Sequence, residues 1–371
     1  MNTTTSGDRE PLVRVANVTK SFRGAGGVGR RRKDVSAVDD VTLEIYEGET
    51  LGLVGESGSG KSTLARAVLM LQPPTSGSVS FGTKDLTKTT KRALRRMRSE
   101  MQLVFQDPFS SVNPRSTVER ILLEPLELHT SLTRSAREAR VVELLDQVGL
   151  GSKFLHRRPH EMSGGQLQRV AIARALAVQP RLVVLDEPVS ALDVSVQEQV
   201  IALLDRLQNE LDLTYLFIAH DLAVVHAVSD RVAVMYLGQV VEIGPASLLY
   251  SQPRHPYTVA LLSAAPIPDP LVERSRERIV LAGDIPDPAD PPTGCRLHTR
   301  CWLRSRLGNP ELCASHRPAL TYTPDGHGAA CHFQDETDGD RVAVGPTEAN
   351  ADQETIGAER IQEEAEMKEW T

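Results

Sequence analysis

Gly55-Glu56-Ser57-Gly58-Ser59-Gly60-Lys61-Ser62 is the stretch that decides the fold of this chain. It fits the phosphate-binding pattern G-x-x-x-x-G-K-[ST] of the P-loop. The glycines let successive backbone N–H groups turn towards a polyphosphate, because a side chain at those positions would block the approach. Lys61 supplies a charge for the β- and γ-phosphates, and Ser62 offers a hydroxyl to Mg²⁺. The motif therefore predicts a nucleoside triphosphate site, and we expect the next residue, Thr63, to contact the nucleotide as well.

The segments around this loop predict an α/β fold with parallel strands. Residues 49–54 form a short apolar run that is typical of a buried strand. Residues 62–71 have the pattern of a helix whose N-terminus faces the bound anion. Two further apolar runs, at 181–187 and 214–219, are of the kind that parallel sheets bury on both faces. The other predicted strands are 12–18, 38–45, 78–81, 101–105, 231–236 and 239–243, and the other predicted helices are 88–98, 117–149, 163–177 and 194–211.

Polar side chains end the two later apolar runs. Asp186 and Glu187 close the first, and His220 closes the second. Ligand sites of open α/β sheets gather at the carboxyl ends of the strands. We therefore predict that Asp186 holds Mg²⁺ and that Glu187 orients or deprotonates a water. A histidine at a strand end is more often structural, but a parallel strand beside Asp186 favours a catalytic His220.

Two other positions allow a functional and an ordinary interpretation. Ser163 is a good N-cap, and Gly164 and Gly165 leave the first N–H groups of the following helix open to an anion. An ordinary capped helix fits that stretch as well. Phe22, which lies just past the first predicted strand, either stacks on a purine base or packs in the core.

Composition excludes several classes of protein. The chain has 371 residues and no uninterrupted apolar run of membrane-spanning length. Residues 1–10 are polar, so we expect no secretory signal, and the four cysteines are then expected to be reduced thiols or metal ligands. The net charge is −7, of which residues 335–371 contribute −9 and the rest +2. The nearly neutral body gives no case for nucleic-acid binding.

Taken in order, these motifs resemble those of the nucleotide-binding subunit of an ABC transporter. Gln106 stands where that family has its Q-loop. Residues 162–166 resemble the signature LSGGQ, with Met162 replacing the first leucine, a nearly isosteric apolar exchange. Residues 190–193 resemble the D-loop, His220 the H-loop and Phe22 the aromatic A-loop. The resemblance covers about residues 11–333.

A subfamily is also indicated. Residues 106–108, 113–115, 188–197 and 255–258, together with the Cys-containing extension, resemble the dipeptide/oligopeptide importer ATPases. Nickel and glutathione importers share these features, so they remain alternative solutes. A soluble ABC ATPase acting on DNA or ribosomes is an alternative of another class, but such proteins usually carry coiled-coil insertions or two cassettes, which this chain lacks.

The resemblance implies an α/β P-loop NTPase with a RecA-like core, an antiparallel β subdomain and a helical signature subdomain near 107–175. We expect a nucleotide-binding domain at 1–250, a C-terminal extension at 251–333 and an acidic, disordered tail at 334–371. The expected partners are a second ABC ATPase subunit (a paralogue), two transmembrane permeases and, indirectly, an extracytoplasmic solute-binding protein, without nucleic acid. The expected location is peripheral, on the cytoplasmic face of the bacterial plasma membrane.

The resemblance also assigns roles to single residues. Glu187 would activate water and His220 would contact the γ-phosphate, while Ser62, Gln106 and Asp186 would hold Mg²⁺. The ATP contacts within the chain would be Phe22, Gly55, Glu56, Ser57, Gly58, Ser59, Gly60, Lys61, Ser62, Thr63, Gln106 and Asp186. The contacts made to the ATP of the opposite subunit would be Ser163, Gly164, Gly165, Gln166 and Asp193.

All four cysteines lie in the last quarter of the chain, at Cys295, Cys301, Cys313 and Cys331. Four soft ligands within this segment suit zinc or an iron–sulfur cluster, although their spacing matches no common ferredoxin or zinc-knuckle pattern. The similarity to importer ATPases points to a [4Fe–4S] cluster, with zinc and free thiols as alternatives. The Pro- and Asp-rich residues 263–292 would link this extension to the core. The histidines that could join a zinc site are His298, His316, His327 and His332.

Overall fold

The structure, a computed structural model, describes residues 10–23, 34–265 and 278–337. The predicted disordered tail lies outside these ranges from residue 338 onward, and so do residues 266–277 of the predicted linker. Within the described ranges, no helix combines the length and apolar character needed to cross a bilayer.

A large sheet forms the centre of the protein. Its parallel part places the P-loop strand in the middle, with the strand that ends at Asp186 two positions away. Every residue of three of these strands is buried, as expected for a sheet that is covered on both faces. The parallel strands are β3 (Thr50–Val54), β6 (Met101–Val104), β7 (Leu182–Asp186), β8 (Thr214–Ile218) and β9 (Arg231–Tyr236), and β10 (Gln239–Pro245) runs antiparallel to β9.

A smaller antiparallel sheet lies beside it, with the strand order β2-β1-β4-β5. Its two long strands exceed their predicted lengths because each absorbs an irregularity. Asn17 and Asp40 take left-handed backbone conformations, with φ of 48° and 56°, and Asn17 Nδ2 donates to Asp40 Oδ1 at 2.9 Å. These kinks interrupt the alternation that marks a strand in sequence. The strands are β1 (Pro11–Phe22), β2 (Val35–Tyr46), β4 (Ser76–Phe81) and β5 (Lys84–Asp85).

Helices cover the large sheet. The four α-helices within residues 108–176 pack against one another and form a helical group. The predicted helix at 117–149 is two helices, because Thr133 starts a new one by accepting a hydrogen bond from Ala136 N. The helices of the main body are α1 (Lys61–Val68), α2 (Lys91–Met97), α3 (Pro108–Ser111), α4 (Val118–His129), α5 (Arg134–Gln147), α6 (Gly164–Leu176), α7 (Val194–Leu211), α8 (Leu222–Val228), α9 (Ala246–Ser251) and α10 (Pro256–Ala264). Two short helices follow, α11 (Trp302–Arg306) and α12 (Leu312–Ser315).

The last segment of the described chain is continuous with the large sheet. Strands β11 (Thr321–Tyr322) and β12 (Gly328–Ala329) extend the sheet beyond β10. The adjoining His327 Nε2 lies 2.7 Å from Oε1 of Glu242, a fully buried residue of β10. The same carboxylate accepts hydrogen bonds from the backbone N–H groups of Arg254 and His255. A buried carboxylate with these partners fixes the C-terminal segment against the core.

Candidate functional site

The P-loop follows β3 and leads into α1, as its sequence pattern requires. Two of its glycines are dictated by backbone contacts. A Cβ at Gly55 would clash with Met235 O, and a Cβ at Gly60 would clash with Ala37 O. Both glycines also have positive φ, of 149° and 104°, which L side chains rarely adopt.

The two polar residues that end the P-loop have different hydrogen-bond partners. Ser62 Oγ donates to Asp186 Oδ1 at 2.8 Å. Lys61 Nζ is buried and donates to the carbonyls of Gly55, at 2.7 Å, and Glu56, at 3.0 Å. Burial lowers the pKa of Lys61, an effect opposed by the nearby carboxylates. The loop therefore holds its cation beside the place where an anionic ligand would enter.

Three residues from different loops meet at the end of the sheet. Gln106 Nε2 donates to Glu187 Oε2 at 2.7 Å. His220 Nδ1 lies 3.8 Å from the same carboxylate oxygen. Glu187 itself has a left-handed backbone, with φ of 50°, and its N–H donates to Ile218 O at 2.9 Å. Backbone strain of this kind clusters at functional sites.

One open cavity of about 510 Å³ joins these groups. The groups that line it are mostly polar: backbone amides and hydroxyls of the P-loop, the side-chain amide of Gln106, the carboxylate of Glu187 and the imidazole of His220. A cavity with one buried lysine and a helix N-terminus suits a polyphosphate. The lining residues are Ala37, Ser57, Gly58, Gly60, Lys61, Ser62, Thr63, Gln106, Glu187 and His220.

The remaining predicted contacts of the P-loop side lie at or beyond the edge of this cavity. Gly55, Glu56 and Ser59 belong to the loop but do not line the cavity. Asp186 does not line it either, but it accepts a hydrogen bond from Ser62, which does. Phe22 is the last residue of β1, with its side chain partly exposed and Lys20 Nζ 5.5 Å from its ring centroid. It does not line the cavity.

The predicted signature residues are placed elsewhere. Ser163 caps α6, accepting from Gln166 N at 3.3 Å, and Gln166 Oε1 accepts from Ser163 N at 3.1 Å. Asp193 caps α7, and hydrogen bonds from Ser195 and Val196 lower the pKa of its carboxyl. None of residues 163–166, nor Asp193, lines the cavity of their own chain.

Sequence reasoning missed several residues at this site. Ala37 lines the cavity, and its carbonyl oxygen leaves no room for a Cβ at Gly60, but no sequence signal marks an alanine for that purpose. Tyr257 and Arg300 touch the P-loop at Glu56 from the C-terminal part of the chain. The pattern of residues 255–258 indicates the family and does not predict this contact. Contacts across such long separations leave no local signal.

The four cysteines form a second candidate site. Cys295, Cys301, Cys313 and Cys331 line one small, largely apolar cavity, and none of them is in a disulfide. Of the four histidines predicted for a zinc site, His298 and His332 line the same cavity, whereas His316 and His327 do not, and His255, which was not predicted, lines it as well. Even so, no set of three or more His, Cys, Asp or Glu side chains in the described residues has the arrangement of a metal site.

The surroundings of the thiols bear on what they could hold. Burial raises the pKa of Cys295 and of Cys331 to about 12, and raises the pKa of Cys301 and Cys313 as well. Two sulfurs accept backbone hydrogen bonds at 3.4 Å, Cys301 from Arg304 N and Cys331 from Phe333 N. Four soft donors around one apolar cavity, with N–H groups aimed at sulfur, fit an iron–sulfur cluster chemically.

Comparison with known proteins gives two family matches. Residues 38–190 match the family described as ABC transporter. Residues 241–306 match the family described as the C-terminal region of oligopeptide/dipeptide transporters. The second match spans β10, α10, the region of Tyr257 and Arg300, and two of the four cysteines.

Similar curated proteins and solved structures agree with these matches. The putative oligopeptide transport ATP-binding protein YkfD of Bacillus subtilis is 50% identical over 326 residues, covering 88% of this chain and 96% of its own. The oligopeptide transport ATP-binding protein OppF of Salmonella typhimurium is 49% identical over 316 residues, covering 84% and 93%. The ATP-binding cassette MJ0796, solved as a dimer in a post-hydrolysis state with ADP and Pi, is 31% identical with a TM-score of 0.57, covering 63% of this chain and 99% of its own.

Proposed function

The chain belongs to the ABC transporters, within the family of oligopeptide transport ATP-binding proteins, and on this premise we propose how its residues power peptide import. It is the ATP-binding and ATP-hydrolysing subunit of an importer of oligopeptides. One observation carries the assignment of residues: the P-loop, Gln106, Glu187 and His220 line a single cavity.

In the proposed site, the phosphates of ATP lie over the backbone amides of the P-loop and the N-terminus of α1. Lys61 Nζ exchanges its hydrogen bonds to two P-loop carbonyls for the β- and γ-phosphates. Phe22 stacks on the adenine. Ser62, Asp186 and Gln106 offer the oxygen ligands that Mg²⁺ prefers, and that ion would neutralise charge on the phosphates.

Hydrolysis in this proposal uses Glu187 as the general base. Its carboxylate accepts a proton from a water molecule, whose oxygen attacks the γ-phosphorus while the bond from that phosphorus to the bridging oxygen of ADP breaks. Inorganic phosphate and ADP are the products. Gln106, which holds Oε2 of Glu187, orients the carboxylate, and His220 contacts the γ-phosphate.

We assign the signature residues to the ATP of a second subunit. Ser163, Gly164, Gly165 and Gln166 form a capped helix N-terminus, and Asp193 caps the neighbouring helix, but all five lie outside the cavity of their own chain. A helix N-terminus with open N–H groups favours an anion, and a facing subunit would supply one. The partner is a second ABC ATPase, which we propose to be a paralogue. The dimeric state of the similar cassette MJ0796 supports this arrangement.

The membrane partners follow from the role in transport. We propose that the subunit sits on the cytoplasmic face of the plasma membrane and engages two permease subunits, with a solute-binding protein delivering the peptide on the other side. The nucleotide-binding domain would comprise residues 1–250, with a helical subdomain near 107–175 that contacts the permeases. The extension would comprise residues 251–333.

For the second cavity we propose a [4Fe–4S] cluster held by the four cysteines. Four sulfurs line the cavity, which is the usual donor set of such a cluster, and zinc bound by cysteines and histidines is the alternative. The group would cross-link segments of the extension. No part of the hydrolysis described above depends on it.

The decisive experiment for the proposed function is reconstitution. The tagged subunit, purified from its own membranes, should recover two permeases and a second ATPase. In proteoliposomes, a mixture of tetrapeptides with the cognate binding protein should raise ATP hydrolysis. Stimulation by nickel or glutathione alone would contradict peptides as the solute, and recovery of DNA or ribosomes without permeases would contradict a role in transport.

A further inference from the structure

Glu56, the second residue of the P-loop, is held by two side chains from the C-terminal part of the chain. The hydroxyl of Tyr257 accepts a hydrogen bond from Glu56 N at 2.8 Å. Arg300 Nη1 lies 3.3 Å from Glu56 Oε2 and donates to it. The extension (251–333), here also called the C-terminal segment, thus contacts both the backbone and the side chain of one P-loop residue.

The tyrosine and the arginine of these contacts are shielded from water, whereas the side chain of Glu56 is 27% exposed. Tyr257 is fully buried, and the side chain of Arg300 is only 9% exposed. Arg300 Nη1 also donates to the hydroxyl of Tyr236 at 3.3 Å, and the rings of Tyr236 and Tyr257 pack with centroids 4.7 Å apart. A guanidinium with so little access to water depends on its partners, so its orientation is fixed towards Glu56.

Glu56 in turn touches the residue that binds phosphate. Its carbonyl accepts hydrogen bonds from Lys61 Nζ at 3.0 Å and from Ser59 N at 3.1 Å. A shift of Glu56 therefore moves an acceptor of Lys61 and the backbone amides that follow. The path from Arg300 to Lys61 passes through one residue.

The extension also contacts β2 close to the nucleotide cavity. Arg296 and Arg317 both pair with Asp39 in β2, two residues from Ala37, which lines the cavity. Arg296 further donates to the carbonyl of Leu237. These contacts attach the extension to the core at a second place and so support the contacts at Glu56.

We propose that Arg300 and Tyr257 are positioning residues of the nucleotide site, which set the conformation of the P-loop through Glu56. The inference rests on the proposed function only in that the P-loop binds nucleotide phosphates. It makes the C-terminal segment a component of that site, in addition to any metal that the segment holds. Both residues adjoin the wall of the four-cysteine cavity, Tyr257 next to Pro256 and Arg300 next to Cys301.

The test is the affinity of the isolated full-length subunit for ADP with Mg²⁺, measured by calorimetry, because ADP binding needs no second subunit. Arg300→Met should weaken binding about tenfold, since a hydrogen-bonded contact to a charged group is lost. Glu56→Gln should weaken it less, and the double variant should be no weaker than Arg300→Met alone, because both changes break one contact. Arg300→Lys should restore part of the affinity.

Arg254→Met is the matched control. Arg254, in the extension, also pairs with a carboxylate, its Nη2 lying 2.7 Å from Oδ1 of Asp335, but its side chain has no contact with the P-loop in the described structure. This variant should keep the affinity for ADP. If Arg300→Met does not fold, the ADP affinities of Tyr257→Phe and Glu56→Gln are measured instead, and both should be weaker than that of the unmodified protein.

Unchanged ADP affinity in Arg300→Met and Tyr257→Phe, even with a lower Tm, would overturn the proposal and leave a purely structural contact. Strict additivity of Arg300→Met and Glu56→Gln would overturn it too. Neither result would contradict the proposed function in peptide import, which the reconstitution experiment tests separately.

Discussion

Gln106 Nε2 donates a hydrogen bond to Glu187 Oε2 at 2.7 Å, although the two residues are 81 positions apart in the chain. They follow β6 and β7, which are adjacent parallel strands, so the topology of the sheet brings them to one edge. The loop that enters the helical group is thereby tied to the proposed general base. A movement of the helical group would reorient that carboxylate, and in the proposed transporter such a movement would let the permeases control hydrolysis.

The first prediction concerns Glu187. Glu187→Gln keeps an amide that can still pair with Gln106 and His220, but it cannot accept the proton of water. We expect ATP binding to be kept and hydrolysis to fall by at least ~10²-fold, the usual size of a general-base contribution. Single-turnover hydrolysis by the assembled transporter measures the effect. Glu198→Gln, at an exposed position of α7, is the control, and near-normal turnover in Glu187→Gln would rule out the proposed role.

How far the sequence predicted this site depends on the range of each contact. The P-loop, Asp186, Glu187 and His220 were predicted because each ends a recognisable strand, and parallel strands place their ends at one edge. The contact of Arg300 with Glu56 spans 244 positions, and no local pattern marks it. The two-residue strands of the extension are too short to show any alternation.

The second prediction concerns Asp186, whose carboxylate accepts the hydrogen bond of Ser62 at 2.8 Å. Asp186→Asn keeps an acceptor for that hydroxyl but removes the charge that would favour Mg²⁺. We expect the Mg²⁺ concentration for half-maximal ATP hydrolysis to rise about tenfold or more, in the range that the loss of a metal-site partner costs. Asp205→Asn, an exposed carboxylate of α7, should leave the Mg²⁺ dependence unchanged. An unaltered Mg²⁺ requirement in Asp186→Asn would contradict the assignment.

The third prediction compares two adjacent glycines of α6. A Cβ on Gly165 would overlap Val196 Cγ1, whereas a Cβ on Gly164 would lie 3.3 Å from Leu192 Cδ2. Since valine is stiff at χ1, Gly165→Ala should push α6 and α7 apart and lower the free energy of unfolding by about 1–3 kcal/mol. Gly164→Ala should cost less, because a leucine tip can give way. Urea denaturation of the two variants measures the difference.

Val196→Ala provides the internal check on this argument. Combined with Gly165→Ala, it removes the overlapping methyl, so the double variant should be more stable than the sum of the two single changes predicts. Strict additivity would show that Gly165 is required for another reason, such as an approach by the second subunit. ATP-dependent dimerisation with the partner ATPase, measured on the same variants, would separate the two explanations.

The helical group shows a different limit of prediction. The periodicity of residues 117–149 is helical throughout, yet the helix is interrupted between α4 and α5, at residues 130–133. Thr130 bonds back to Leu126 O, and Thr133 caps the next helix. Both are weak signals, since threonine occurs inside helices as well, and the burial of Leu126 and Val141 in one core decides the arrangement.

The fourth prediction concerns the cavity of the four cysteines. Anaerobically purified protein should be brown, with an absorbance at about 400 nm and about four irons per chain, because four thiolates are the usual ligands of such a cluster. Cys331→Ser should lose the colour and the iron, whereas His298→Gln, at a position that lines the same cavity, should keep both. Metal analysis and circular dichroism report cluster content and folding independently of ATP hydrolysis. Colourless protein with one zinc that is lost in His298→Gln would replace the cluster by a zinc site. Metal-free, fully folded protein purified under the same conditions would leave four free thiols, with the cavity serving only to pack the extension.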